Sequence, residues 1–315
     1  MQPLTASTRA RVAWTTAATV IVAAAVGLAA ASEGGRENPG DRAGVSNQGS
    51  VYAAVADAKG EPVLGLTASD FALQVAGAAR PVVSAQVASE PLAIAVVVDG
   101  LGVARLEQVR LSLRTVVDQI ARSEPQARIG IENPPAALVM RTAGTEAAEL
   151  AKDAQGYAPD PDAGPLVERL PGIAKTLAIE PTRRRVILAL TVPYADGGRH
   201  APANLVEAVR GANCQVWNIE VETRADLSPG VAAARLTDLD NVLIDLASKS
   251  GGRREIAYGP ALLDTVAQQT TRLLLSQYLL TYDRDETSPS TPLRVGLRTA
   301  VHGVQVLAPG WIGAK

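Results

Sequence analysis

Residues 92–102 read LAIAVVVDGLG, seven apolar residues running into Asp99 and then two glycines one residue apart. An apolar run without alternation is the pattern of a parallel strand covered on both faces. A carboxylate where such a strand meets a glycine turn is placed for a ligand or for a helix cap. Three readings of the turn follow. A dinucleotide site needs a third glycine or alanine three residues beyond Gly102, where this chain has Arg105. In that reading Glu132, at the end of the next strand, would be the acidic partner of a ribose. A metal site would use Asp99 as a hard oxygen ligand. In the third reading the site is vestigial and Asp99 caps the helix that begins near Ala104.

The pattern around this strand sets the fold class. After the turn, Leu106, Val109, Leu113, Val116, Val117 and Ile120 recur at helical spacing, with Arg105, Glu107, Arg110, Arg114 and Asp118 on the other face. Further buried strands are predicted at 127–131, 185–192 and 214–221, with helices at about 145–155, 164–179 and 202–212. Thr237 is a candidate N-cap, and VLIDLASKSGG (242–252) ends on a glycine stop at Gly251. Strand and helix alternate from 92 to 275, which predicts a mostly parallel α/β sheet.

Both flanks are β in character. Val51–Ala56, Phe71–Val75 and RPVVSAQVA (80–88) read as strands before the α/β region. After it come QYLLTY (277–282) and a half-exposed hairpin in which Leu293, Val295 and Leu297 lead through His302-Gly303 to Val304 and Val306. Neither flank makes a stable unit alone, so the two are expected to form one module.

The chain has 315 residues, 47% hydrophobic and 20% charged, with a net charge of −2 that argues against nucleic acid or anionic lipid as partner. Arg9 and Arg11 precede an uncharged run from Val12 to Ser32 that ends in Ala29-Ala30-Ala31, the pattern of a secretory signal cleaved near Ala31. A retained membrane anchor is the alternative. Residues 32–48 hold little to bury and read as a linker.

Other chemistry is sparse. Cys214 is the single cysteine and starts a predicted core strand, which makes it a buried, inert thiol. His200 and His302 lie in different modules, which argues against a shared metal or a catalytic dyad. Asp160/Asp162 and Asp238/Asp240 read as solvated loop and helix-start carboxylates, and Arg183-Arg184-Arg185 as the exposed start of a strand. No Gly-x-Ser-x-Gly elbow is present.

The segments VADAKGEPVLGLTASDFAL, PLAIAVVVD, LIDLASKSGG and QYLLTYDRDETSPSTPLRVGLRTAVHGVQVLAPGWIG resemble the von Willebrand factor A-related family described mainly from Acidobacteria. The resemblance implies an exported A-type domain flanked by a small β module. It also implies a Mg²⁺ site opened by Asp-x-Ser-x-Ser, completed by a threonine and by an aspartate after the fourth strand. Asp99 matches, but Leu101 and Val103 stand at the serine positions, YAPDPDAGPL (157–166) lacks threonine, and Val192 stands at the aspartate position. Asp196 could be a displaced ligand.

The expectation is therefore a von Willebrand factor A-like α/β fold, its mostly parallel sheet covered by helices on both faces, with a β-sandwich-like module from the two flanks. The expected organisation is signal peptide 1–31, linker 32–48, β module 49–90 and 276–312, and α/β domain 91–275. The expected function is a non-enzymatic, protein-binding or structural role at the cell envelope. No cofactor, no catalytic residue and no metal ligand is assigned, and the protein partner is unknown. A metal-dependent adhesion domain using Asp99 and Asp196, and an enzyme with an unrecognised site, are the alternatives.

Overall fold

The structure, a computed structural model, describes residues 48–134, 137–160, 162–193, 204–223, 238–284 and 292–312, with the main chain alone at 238–241. The signal segment, Asp196, His200 and Thr237 lie outside the described residues.

The chain opens with four strands, β1 (Gln48–Ala56), β2 (Phe71–Val75), β3 (Ala78–Arg80) and β4 (Val82–Val87). The α/β region follows: β5 (Ala93–Val98), α1 (Leu106–Ser123), β6 (Arg128–Ile131), β7 (Arg141–Thr142), α2 (Ala147–Gly156), α3 (Leu166–Ala178) and β8 (Arg185–Thr191). It continues through α4 (Leu205–Gly211), β9 (Cys214–Glu222), α5 (Asp238–Ser250), β10 (Arg254–Tyr258) and α6 (Leu263–Leu275). The chain then returns to strands at β11 (Tyr278–Asp283), β12 (Leu293–Thr299), β13 (Gln305–Leu307) and β14 (Trp311–Ile312).

The six central strands lie in the order β10-β9-β8-β5-β6-β7. All neighbours run parallel except β7, which pairs antiparallel with β6. The first strand of this sheet therefore sits in the middle, and successive crossovers leave it in opposite directions, the doubly wound arrangement. β5 alternates in size between its faces. Ile94, Val96 and Val98 pack with α1, α2 and α6, whereas Ala93, Ala95 and Val97 pack with α3, α4 and α5. Both faces are covered, which is why the strand reads as unbroken apolar sequence.

The flanks form two four-stranded sheets, β13-β1-β11-β4 and β14-β12-β2-β3, each mixing strands from both ends. They pack face to face as a sandwich. Val51 and Tyr282 of one meet Leu73, Val75 and Ile312 of the other, and the Phe71 and Tyr278 rings meet edge-on with centroids 5.6 Å apart. The far face of β1 carries Ala54 and Ala56, which share a cluster with Leu263, Ala267 and Leu274 of α6.

Two sequence expectations are corrected here. β12 and β13 are not hairpin partners: β12 pairs with β2 and β14, whereas β13 pairs with β1 in the other sheet. Alternation reports that each strand has one buried face but not which strand lies beside it, and the His302 turn carries the chain between sheets. The three arginines at the start of β8, Arg183 to Arg185, are not an exposed run. Arg184 is 1% exposed. It donates to Glu124 Oε1 at 2.6 Å, Gln277 Oε1 at 3.1 Å and the carbonyl of Leu274. One guanidinium thus ties the end of α1, the end of α6 and the start of β11, where a cation also meets a helix carboxyl terminus favourably.

Gly251, at φ +90°, ends α5 as expected, and a Cβ on Gly252 would lie 1.9 Å from the Val216 carbonyl oxygen. The first glycine supplies the left-handed turn and the second lets the chain run against β9.

Candidate functional site

Ligands of doubly wound sheets bind outside the carboxyl ends of the strands, where the winding reverses. In this chain that place is the end of β5, where Asp99 follows Val98. The turn is tight because Gly100 takes φ +70° and because a Cβ there would lie 2.4 Å from the Val192 side chain, beyond β8. The first glycine of the pair thus serves turn geometry and close packing, two needs that explain it without a phosphate.

A cation from the protein itself occupies this place. Arg169, on the second turn of α3, puts Nη1 3.5 Å from Asp99 Oδ1 and Nη2 3.3 Å from Glu132 Oε2. The same guanidinium donates to the Val98 carbonyl at 3.2 Å and to the Gly164 carbonyl at 3.0 Å. The three charged side chains are only 10–13% exposed. Buried in this way, an arginine between two carboxylates satisfies charges that would be costly alone.

Asp99 has a second task. Its Oδ2 accepts from the main-chain N–H of Leu166 at 3.2 Å, at the start of α3. The Asp99 bond among the described residues is to a different helix from the one expected: Asp99 caps α3 from 67 residues away, while the N-cap residues of the helix that follows the turn make no side-chain cap bond. Pro165, which precedes α3, has no side-chain hydroxyl or carboxylate to do so, and a carboxylate at that end also meets the positive pole of the helix.

Glu132 lies beside this pair. Burial raises its carboxyl above the usual range, the Arg169 charge draws it down, and the Asp99 charge raises it again. Glu132 Oε2 and Arg169 Nε are buried without a hydrogen-bond partner among the described residues, so the pair is held by charge at imperfect geometry. Tyr157 closes the side. Its phenol is pushed up to about 12 by burial, and its carbonyl accepts from Arg110 Nε at 3.0 Å.

The described residues at this end of β5 offer a divalent metal few oxygen ligands. Leu101 is buried in the core and Val103 is exposed, and both put hydrocarbon where hydroxyl ligands would be needed. Val192 offers no oxygen from its side chain, and the Arg169 charge would repel the ion. Among the described residues, no three Asp, Glu, His or Cys side chains gather as a metal cluster. The sequence singled out Asp99 and Glu132, the latter as a ribose ligand, and did not single out Arg169. Cys214 is 2% exposed with its thiol pushed up to about 12 by burial. Asp160 Oδ1 accepts from the Asp162 N–H at 2.9 Å, an ordinary loop turn. His302 is exposed in its turn.

No family model matches the chain, and no curated protein matches it in sequence. Among solved structures, it is similar to a von Willebrand factor type A protein from Catenulispora acidiphila, at 12% identity over 83% of this chain and 72% of that one, with a TM-score of 0.41. It is also similar to the conserved hypothetical protein BatB from Bacteroides thetaiotaomicron, at 15% identity over 58% of this chain and 98% of that one, with a TM-score of 0.38. An aerotolerance-related membrane protein from Bacteroides fragilis covers 57% of this chain and 98% of its own at 10% identity, with a TM-score of 0.38. The doubly wound order rests on the hydrogen-bonded registers of this chain itself.

Proposed function

We propose that this chain is an exported, non-enzymatic von Willebrand factor A-related protein. It acts as a protein-binding or structural module at the cell envelope, with its metal site replaced by an internal salt bridge. The observation that carries this reading is the Arg169 guanidinium between Asp99 and Glu132. The sequence segments that resemble the family, and Asp99 at the end of the first sheet strand, support the class. The paired arginines and the alanine-rich run before Ser32 support export.

In the proposed protein, adhesion does not pass through a metal that accepts a partner's carboxylate. The charges at the sheet edge are satisfied within the chain, and partner contact uses shape and surface chemistry. Affinity capture from an envelope extract tests this directly, with the mature chain as bait in buffers holding Mg²⁺ or EDTA. The expected result is the same captured protein in equal amount in both buffers. Capture that requires Mg²⁺ would favour the adhesion alternative.

A further inference from the structure

At the opposite end of the parallel sheet from Asp99, where β8 and β9 begin, a cavity of about 300 Å³ opens between the α/β layer and the sandwich. Its walls differ in chemistry. On one side stand Arg183, Arg185 and Asn213, and on the other Tyr52, Trp311 and Ile312, with Arg284 also lining the space. Among the described residues, no Asp or Glu lines it.

Arg183 and Arg185 on the first wall have no ion-pair partner among the described residues. Arg184 is engaged by Glu124, but its neighbours are not matched in the same way. Arg185 spends its terminal donors on two neutral main-chain carbonyls, Ala212 at 3.0 Å and Glu180 at 2.8 Å. Its Nε is buried without a hydrogen-bond partner among the described residues. Arg183 is exposed and makes no ion pair with any described carboxylate. Of the nearby acids, the Glu180 carboxylate takes Arg128, and the Glu90 carboxylate accepts from the hydroxyl of Tyr52 on the opposite wall at 2.5 Å. Two arginines without carboxylate partners among the described residues therefore line a concave space of small-molecule size.

We infer that this cavity is a binding site for a small organic anion. A phosphoryl or carboxylate head group would sit on Arg183 and Arg185, with an apolar or aromatic body against Trp311 and Ile312. The fork of the exposed Arg183 suits paired anionic oxygens, Arg185 adds positive charge beside it, and the indole offers a face for a ring. The site is independent of the salt bridge at the other edge of the sheet, and of any partner bound there.

Calorimetric titration of the mature chain with phenyl phosphate, benzoate and neutral phenol tests the inference. At least one of the two anions binds, and phenol does not; the tighter anion identifies the head group. Arg183→Glu, an exposed position, leaves the melting midpoint unchanged and weakens that anion at least tenfold. Arg185→Met weakens it as well. Failure of both anions to bind, affinity unchanged in Arg183→Glu, or phenol binding as well as the anions would each overturn the site.

Discussion

Arg169 Nη1 stands 3.5 Å from Asp99 Oδ1, joining the start of α3 to the end of the strand on which the sheet reverses. The contact makes this end of the central strand a structural joint. Its energetic weight can be measured. Arg169→Met keeps most of the stem and removes the charge, leaving Asp99 and Glu132 buried side by side. Breaking a buried pair in this way costs about 3–5 kcal/mol. The triple variant Arg169→Met, Asp99→Asn, Glu132→Gln removes all three charges and should recover much of that loss, because the members are coupled. Denaturant unfolding checks both; a single variant as stable as the parent would show that the joint carries no load.

Glu132 predicts a pH dependence. Its carboxyl is raised in the folded chain above the usual carboxylate range, chiefly by burial. The folded state thus holds its proton more firmly than the unfolded state. Its favourable contribution is complete below the unfolded value and is lost as pH rises through the folded one. Unfolding free energies of the parent and Glu132→Gln, compared from pH 4 upward, should therefore diverge to the parent's disadvantage as pH rises. A parent that gains on the variant with rising pH would mean that Arg169 outweighs burial.

Arg184 and Arg183 are neighbours with opposite fates, and a pair of variants separates them. Arg184→Met strands the partly buried Glu124 and leaves the Leu274 carbonyl without its donor, a loss of about 3–5 kcal/mol. Arg183→Ala changes an exposed side chain and should stay within about 0.5 kcal/mol. Equal effects in the two would contradict the hub assigned to Arg184.

Local chemistry explains which of these features could be read in advance. β5, β8 and β9 are legible because burial on both faces leaves unbroken apolar runs, and α1 because its core side keeps helical spacing. β10, reading REIAY, is an edge strand with mixed burial and lacks that signature, and β7 is only two residues long. The turn from β2 to β3 passes through Ala76 at φ +52° and Gly77 at φ +82°, a conformation that alanine does not advertise. Arg184 was hidden because a charged triplet ordinarily faces water.

The site divides in the same way. Asp99 is visible from its strand and its glycine, but Arg169 lies 71 residues from Val98, whose carbonyl it meets. On α3 it is one polar residue beside Val167 and Leu170, with nothing in its spacing to mark it. Only the packing of α3 across the end of β5 turns it into a counter-charge.

Melting curves of the protein with and without divalent metal test the central claim most directly. A site of millimolar affinity would add about 1.4 kcal/mol at about 10 mM metal. In a chain of this size that raises the midpoint by roughly 2–4 °C. With Arg169 between the carboxylates and hydrocarbon at Leu101 and Val103, the account predicts no shift with Mg²⁺ or Mn²⁺. A rise of that size, abolished by Asp99→Ala, would contradict it.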